Sequence, residues 1–96
     1  MTEIRTTANY DRWFSGLRDR KARGRIDVRL RRLADGDPGD FRAVGSGVLE
    51  LRISYGPGYR IYYAERGEML IILLAGGSKR TQERDIRMAR ELAQAL

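Results

Sequence analysis

The stretch VLELRISYGPGYRIYYA, residues 48–64, alternates apolar and polar side chains on both sides of a Gly-Pro-Gly segment. Alternation of this kind is typical of β-strands that bury one face, and glycine and proline between two such runs indicate a tight turn. The pattern therefore predicts a β-hairpin with strands at 48–55 and 59–64. A register that places Tyr55 opposite Tyr59 is expected.

The predicted hairpin has one apolar face and one polar face. The polar face collects Glu50, Arg52, Ser54, Arg60 and Tyr62. In the expected register, Arg52 lies opposite Tyr62 and Ser54 lies opposite Arg60. This mixture suits RNA, because arginine pairs with phosphates and tyrosine stacks on bases.

The remaining elements follow from hydrophobic spacing on both sides of the hairpin. Residues 69–75, MLIILLA, are apolar throughout, which predicts a central strand buried on both faces. A β-prone segment at 3–7 indicates a short edge strand, and 41–44 has room for another. Amphipathic helices are predicted over residues 8–18, 19–34 and 81–96.

The element order β-α-α-β-β-β-α predicts a single α+β domain that spans residues 1–96. The two helices before the hairpin are expected to pack on one face of a small sheet and to leave its other face open. Asp19 is placed to cap the second helix, and Thr81 is placed to cap the last one.

The composition excludes several kinds of chemistry. The 96 residues contain no cysteine and no histidine, which removes disulfides, thiolate zinc sites, cysteine nucleophiles and the side chain most used for acid–base catalysis. No cofactor or metal is expected, and a catalyst would rely on Arg, Lys, Tyr, Asp or Glu. The sequence has no signal-peptide pattern and no apolar run of membrane length, which predicts a cytoplasmic protein without a membrane partner.

The chain is strongly basic. Lysine and arginine number 19 against 13 aspartate and glutamate residues, which gives a net charge of +6. Nine of the basic residues lie on or beside the first two predicted helices: Arg12, Arg18, Arg20, Lys21, Arg23, Arg25, Arg29, Arg31 and Arg32. Such a run is either the solvated face of amphipathic helices or a docking surface for an acidic partner or RNA phosphates.

The segment AGGSKRT, residues 75–81, joins the predicted central strand to the last helix. A nucleotide-binding P-loop needs G-x-x-x-x-G-K-[ST], and this spacing does not fit it. Gly76 and Gly77 then have two interpretations: a tight turn that requires glycine backbone angles, or an anion site at a helix N-terminus. Lys79 and Arg80 add positive charge in either case.

Three stretches carry a family resemblance: ELRI-YGPGYRIYY, GG-KRTQ-RDI and, in the helical half, WFSGLRDRKARGRIDVRLRRLADGDPGD. On these motifs the chain resembles the RelE/ParE toxin superfamily, in particular the HigB-like branch of phage-derived addiction-module killer proteins. The resemblance implies a RelE-like α+β fold with two N-terminal helices packed on an antiparallel sheet and a C-terminal helix. It also implies a type II toxin that cuts mRNA, often on the ribosome, and that is neutralised by an antitoxin with a helix-turn-helix. The alternative is a ParE-like toxin of the same fold that inhibits a protein target such as DNA gyrase.

The resemblance also implies particular site residues. The family's transition-state arginine on the second hairpin strand corresponds to Arg60, and the basic residue after the central strand corresponds to Arg80, beside Lys79. The chain departs from RelE-type enzymes at two positions. Glu50 stands where they have a lysine base, and Ile86 stands where they have a tyrosine.

A cleavage mechanism without metal is expected to use these residues in three roles. The stabilisers of the phosphorane would be Arg52, Arg60 and Arg80. Lys79 or Tyr62 would protonate the leaving 5′-oxygen. Glu50 is either the base that takes the 2′-OH proton or an ion-pair partner that orients Arg52. The RNA-binding residues are predicted to be Arg52, Arg60, Lys79, Arg80 and Arg84.

Overall fold

In a computed structural model, which describes residues 2–96, the chain forms a five-stranded sheet with helices on both faces. The elements in chain order are β1 (Glu3–Thr6), α1 (Ala8–Ser15), α2 (Arg20–Ala34), β2 (Phe41–Gly45), β3 (Val48–Ile53), β4 (Tyr59–Arg66), β5 (Leu70–Ser78), a 3-10 helix (Lys79–Thr81) and α3 (Gln82–Ala95). The mixed α+β class is as predicted, and β2 is the additional strand for which the sequence has room. None of the helices formed by residues 2–96 has the length and apolar character that a membrane crossing requires.

The sheet has the strand order β1-β5-β4-β3-β2. Strands β2 to β5 form an antiparallel meander, and β1 pairs with β5 in parallel. Strand β5 therefore lies inside the sheet, with a neighbour on each side. This position confirms the central strand that its apolar sequence predicts.

The β3–β4 hairpin has a longer turn than expected. Ile53 pairs with Tyr59, so the predicted pairing of Tyr55 with Tyr59 is wrong. Tyr55 belongs to the turn, where Gly58 N–H donates to its carbonyl at 3.1 Å, and Gly56 and Gly58 both have positive φ. The register differs from the prediction by two positions, which preserves the face to which each side chain points.

Helices α1 and α2 pack on one face of the sheet. Asp19 caps α2 as predicted, since its carboxylate accepts hydrogen bonds from Lys21 N and Ala22 N. Helix α1 ends at Ser15, earlier than predicted, because the chain then makes tighter i→i−3 backbone bonds. The buried core on this face contains Tyr10, Ile26, Leu33, Leu51, Ile53, Ile61, Tyr63, Ile71 and Leu73.

Helix α3 covers the opposite face, so the prediction of an open sheet face is wrong. Ala89 and Ala93 of α3 pack in a second buried cluster with Tyr62 and Leu74 of the sheet. Small side chains on the helix allow it to approach the strands closely. A strand that is apolar at every position requires cover on both faces, and α3 supplies the second layer.

Gly76 and Gly77 lie inside β5 and pair with β4, so of the two interpretations of these glycines the tight strand-to-helix turn is wrong. Their backbones do not have positive φ. Instead, a Cβ on Gly76 would overlap the indole of Trp13, and a Cβ on Gly77 would overlap the carboxylate of Asp85. The glycines are needed because α1 and α3 approach the strand here from its two faces.

Candidate active site

The polar face of the hairpin lies beneath α3. Arg52 is opposite Arg60 and Glu50 is opposite Tyr62, so the predicted pairs of Arg52 with Tyr62 and of Ser54 with Arg60 are wrong. Glu50 and Tyr62 are completely buried, and Arg60 is 8% exposed. All three residues are therefore buried, and of the three only Arg60 lines a groove near the hairpin turn.

Glu50 is held by polar neighbours on all sides. Its carboxylate accepts hydrogen bonds from Arg42 Nε at 2.9 Å, Tyr62 Oη at 3.0 Å and Gln82 Nε2 at 2.9 Å, and Arg52 Nε lies 3.7 Å away. Burial raises the pKa of this carboxyl, but the hydrogen bonds from Arg42, Gln82 and Tyr62 outweigh it and lower the pKa below its usual value. An ionised, enclosed carboxylate is poorly placed to take a proton from RNA. Of the two predicted roles, the geometry favours the ion-pair partner.

Tyr62 is equally removed from solvent. Burial and the neighbouring Glu50 carboxylate raise the pKa of this phenol, whose hydroxyl donates to Glu50. The ring is packed between β4 and α3. Tyr62 therefore has no face free for stacking on a base, and its proton is committed to Glu50.

Arg60 lines a groove of about 380 Å³ formed with the hairpin turn, residues 54–58, and Lys79. We call it the central groove. Arg60 Nε is buried and has no hydrogen-bond partner among residues 2–96, and its Nη1 makes only a long bond, 3.3 Å, to the carbonyl of Tyr59. No ion pair among residues 2–96 neutralises this guanidinium, so its charge is available to an anion in the groove.

A second groove, of about 510 Å³, runs along the start of α3, and we call it the α3 groove. It is lined by Lys79, Arg80, Arg84 and Arg87 together with Thr81, Gln82 and Glu83. The backbone N–H of Lys79 donates to the carbonyl of Gly58 at 2.8 Å, which fixes the 3-10 helix against the hairpin turn. Lys79 consequently lines both grooves and joins them.

Four of the predicted site residues line these two grooves, and three do not. Arg60, Lys79, Arg80 and Arg84 line the two connected grooves. Arg52 is turned toward carboxylates instead, with Nη1 3.9 Å from Asp40 and Nε 3.7 Å from Glu50. Arg52 and Tyr62 thus both contact the Glu50 carboxylate, Arg52 from a partly exposed position and Tyr62 from the interior.

Two residues near the site were missed in the sequence. Arg87 lies at i+7 from Arg80, with Arg84 at i+4, a spacing that signals one helical face. Asp85 is buried beneath Gly77 and accepts a hydrogen bond from Thr81 Oγ1 at 2.6 Å. Thr81 occupies the N-cap position of α3 as predicted, but its side chain accepts no hydrogen bond from the first turn of that helix. Its oxygen accepts from Ser78 N instead.

Ile86 packs at the edge of the second core cluster. Ile86 is thus an apolar packing residue. Among residues 2–96, no group of three or more His, Cys, Asp or Glu side chains is arranged to hold a metal ion.

Fold and site define a small basic α+β protein with connected cationic grooves at the start of its last helix. Residues 12–94 match the family model described as Phage derived protein Gp49-like (DUF891), and the chain belongs to this family. It is also similar to a protein of Haemophilus influenzae strain Rd described as "Uncharacterized protein". The two are 45% identical over 94 residues, which cover 98% of this chain and 95% of the relative.

Proposed function

We propose that this protein is the toxin of a type II toxin–antitoxin system, a HigB-like member of the RelE/ParE superfamily that cleaves mRNA on the ribosome without a metal ion. Membership of a phage-derived family agrees with the resemblance to phage-derived killer proteins. Two helices before an antiparallel meander and one after it fit the RelE-like arrangement. The proposed action takes place in the cytoplasm, where mRNA is translated.

Arg60 carries the proposal. Its side chain is more than nine-tenths buried, its Nε has no hydrogen-bond partner within residues 2–96, and it lines a groove with Lys79. A cation partly withdrawn from water interacts more strongly with a phosphate than an exposed cation does. The groove is therefore suited to a phosphodiester whose charge increases during reaction.

In the proposed reaction, the 2′-oxygen of RNA forms a bond to the adjacent phosphorus while the bond from phosphorus to the 5′-oxygen breaks. Arg60 and Arg80 stabilise the additional charge on the phosphorane. Lys79 donates a proton to the leaving 5′-oxygen, and the 2′-proton passes to solvent. Glu50 and Tyr62 position the β3–β4 hairpin and do not contact the substrate.

Inducing the gene in bacterial cells tests the proposal through its toxicity. We expect wild-type protein to arrest growth and both Arg60→Ala and Arg80→Ala to relieve the arrest, because each removes a cation from the phosphate site. Arg31→Ala is the matched control, since Arg31 is an exposed arginine of α2 that lines a different surface. Circular dichroism of each purified variant checks the fold. A folded double variant, R60A/R80A, that remains fully toxic contradicts the assignment.

A second candidate is a ParE-like toxin that inhibits DNA gyrase without chemistry of its own. The observation that favours it is the enclosure of Glu50 and Tyr62, the two groups considered for proton transfer alongside Lys79. Incubation of the purified protein with mRNA and ribosomes, and separately with gyrase and plasmid DNA, distinguishes the two. Intact RNA together with lost supercoiling would favour this alternative.

The proposal includes an antitoxin, which we expect to be a helix-turn-helix protein encoded next to this gene. Its co-expression should restore growth to cells that make the toxin. A neighbouring reading frame whose product has no effect on toxicity would remove this part of the proposal.

A further inference from the structure

A third groove adjoins the central groove on its other side. This α2 groove, of about 690 Å³, lies between α2 and the end of β3 and is lined by Lys21, Arg25, Val28, Arg29, Arg32 and Ser54, among others. Ser54 lines both the α2 groove and the central groove. Lys79 lines both the central groove and the α3 groove. The central groove, which Arg60 lines, therefore adjoins the α2 groove at Ser54 and the α3 groove at Lys79.

The cations of the α2 groove differ in how much they are engaged by the protein. Arg29 is committed to the fold, because its guanidinium donates to the carbonyls of Arg52, Pro38 and Asp40. Arg32 pairs with Asp37 at 2.9 Å. Lys21 and Arg25 are exposed and take part in no ion pair among residues 2–96. No carboxylate in this part of the chain neutralises these two cations, so their charge is available to an external anion.

An oriented aromatic ring stands where the α2 groove meets the central groove. The guanidinium of Arg25 lies 4.7 Å from the centre of the Tyr55 ring, and Tyr55 Oη donates to Asp19 at 2.9 Å. Arginine and tyrosine held in contact offer a flat surface beside a phosphate-binding groove. This combination suits the alternating bases and phosphates of a single strand better than it suits an acidic peptide, which has no bases to stack.

We propose that the three grooves form one continuous track for single-stranded RNA. The α3 groove binds the strand on one side of the phosphate at Arg60, and Lys21 and Arg25 bind the phosphates on the other side, next to a base at Tyr55. The inference rests on the proposed function, since it takes the central groove as the place of the reacting phosphate. It assigns part of the basic run on α2 to RNA and not merely to solvation.

Binding of RNA probes that cannot be cleaved tests the track separately from catalysis. Fully 2′-O-methylated RNAs of about 4 and about 12 nucleotides, labelled for fluorescence anisotropy, compare a strand that fills part of the track with one that spans it. We expect Lys21→Gln/Arg25→Gln to weaken binding of the long RNA roughly tenfold at moderate salt. The double substitution should also make the negative slope of the log association constant against log salt concentration shallower by about 1.4, since each phosphate contact on a single strand contributes about 0.7 to its magnitude.

The matched control is Arg18→Gln/Arg31→Gln, which removes the same charge from exposed residues outside the three grooves. It should leave both the affinity and the slope close to wild type. Equal weakening by the two double variants would show a general charge effect and overturn the track. If the K21Q/R25Q variant binds the long RNA as tightly as the wild-type protein does, the track is overturned as well. That result would favour an acidic protein as the ligand of the α2 groove.

The outcomes separate the track from the nuclease. If the wild-type protein cleaves mRNA but the K21Q/R25Q variant binds the long RNA with wild-type affinity, the track fails and the proposed function stands. If K21Q/R25Q alone weakens binding of the long RNA but mRNA remains intact with wild-type protein and ribosomes, the track is supported as a binding surface and the nuclease fails.

Discussion

Glu50 is a fully buried carboxylate that joins three elements of the fold. It binds Arg42 of β2, Tyr62 of β4 and Gln82 at the start of α3. Charge-assisted hydrogen bonds of this kind stabilise the ion, and loss of the charge leaves donors with a weaker acceptor. Its expected contribution is therefore to the placement of α3 on the sheet and, through α3, to the grooves.

Glu50→Gln separates a structural role from a catalytic one. We expect it to lower the free energy of unfolding by about 2 kcal/mol at neutral pH, because a neutral amide replaces a buried ion that is paired with Arg42. Urea denaturation measures this difference, with Glu68→Gln, a change at an exposed residue, as the control. A variant with wild-type stability and no cleavage would instead identify Glu50 as the base.

The difference in the free energy of unfolding between wild type and E50Q is expected to depend on pH. The ordinary pKa of a glutamate side chain is 4.5, and the pKa of Glu50 in the folded protein lies below it. Its ionisation therefore stabilises the fold at pH values above 4.5. The stabilisation decreases as the pH falls through the lower, folded-state pKa. The stability gap between wild type and E50Q should consequently be full at neutral pH and shrink in acid, and a gap independent of pH would contradict this account.

Single residues show why part of the site could be inferred from the sequence. Arg60, Lys79 and Arg80 follow from the family motif, and the structure places all three along the grooves. Burial of Glu50 and Tyr62 does not follow, because alternation assigns a side chain to a face of a strand but does not reveal what covers that face. Arg87 was detectable from its spacing with Arg80 and Arg84 on one helical face.

At the scale of elements, β5 brings the three layers together. Gly76 faces Trp13 of α1, and Gly77 faces Asp85 of α3. These contacts set the distance between the strand and the helices on its two faces. Because the 3-10 helix with Lys79 and Arg80 follows Ser78 directly, a displacement of β5 would also displace the site.

Alanine at these glycines should be destabilising despite its small size. We expect Gly76→Ala and Gly77→Ala each to lower the free energy of unfolding by about 1–3 kcal/mol, because the added methyl group overlaps a packed side chain. Gly24→Ala is the control within α2, where a Cβ would meet nothing within 4 Å. It should stabilise the protein by about 0.5–1 kcal/mol, as alanine does in a helix interior. Equal effects at Gly24 and Gly77 in urea denaturation would argue against the packing explanation.

Element types and faces could be predicted from periodicity, whereas their arrangement could not. The hairpin turn includes Ser54 and Tyr55, a feature that alternation hides because both residues continue the strand pattern. Helix α3 has an apolar stripe, but a stripe does not say which side of the sheet it will cover. The apolar pattern of β5 contained the missing information, since it requires a layer on both faces.

At the scale of the whole molecule, the positive charge is not only large but also concentrated along particular grooves. The net charge of +6 would by itself support only a general attraction to polyanions. The fold places Arg60 in the middle of three connected grooves, with α2 and α3 supplying cations on its two sides. In the proposed function, this arrangement lets the positive field of the molecule direct a single phosphate to Arg60.

The most direct test of the central claim is cleavage of mRNA in the presence of ribosomes and EDTA. Wild-type protein is expected to cut the RNA and to leave a 2′,3′-cyclic phosphate, since attack by the 2′-oxygen needs no metal ion. Arg60→Ala should reduce the rate by about 100- to 1,000-fold, the usual loss when one transition-state stabiliser is removed, while Arg31→Ala cuts normally. Intact RNA with the wild-type protein, or equal cutting by the Arg60 variant, would contradict the account.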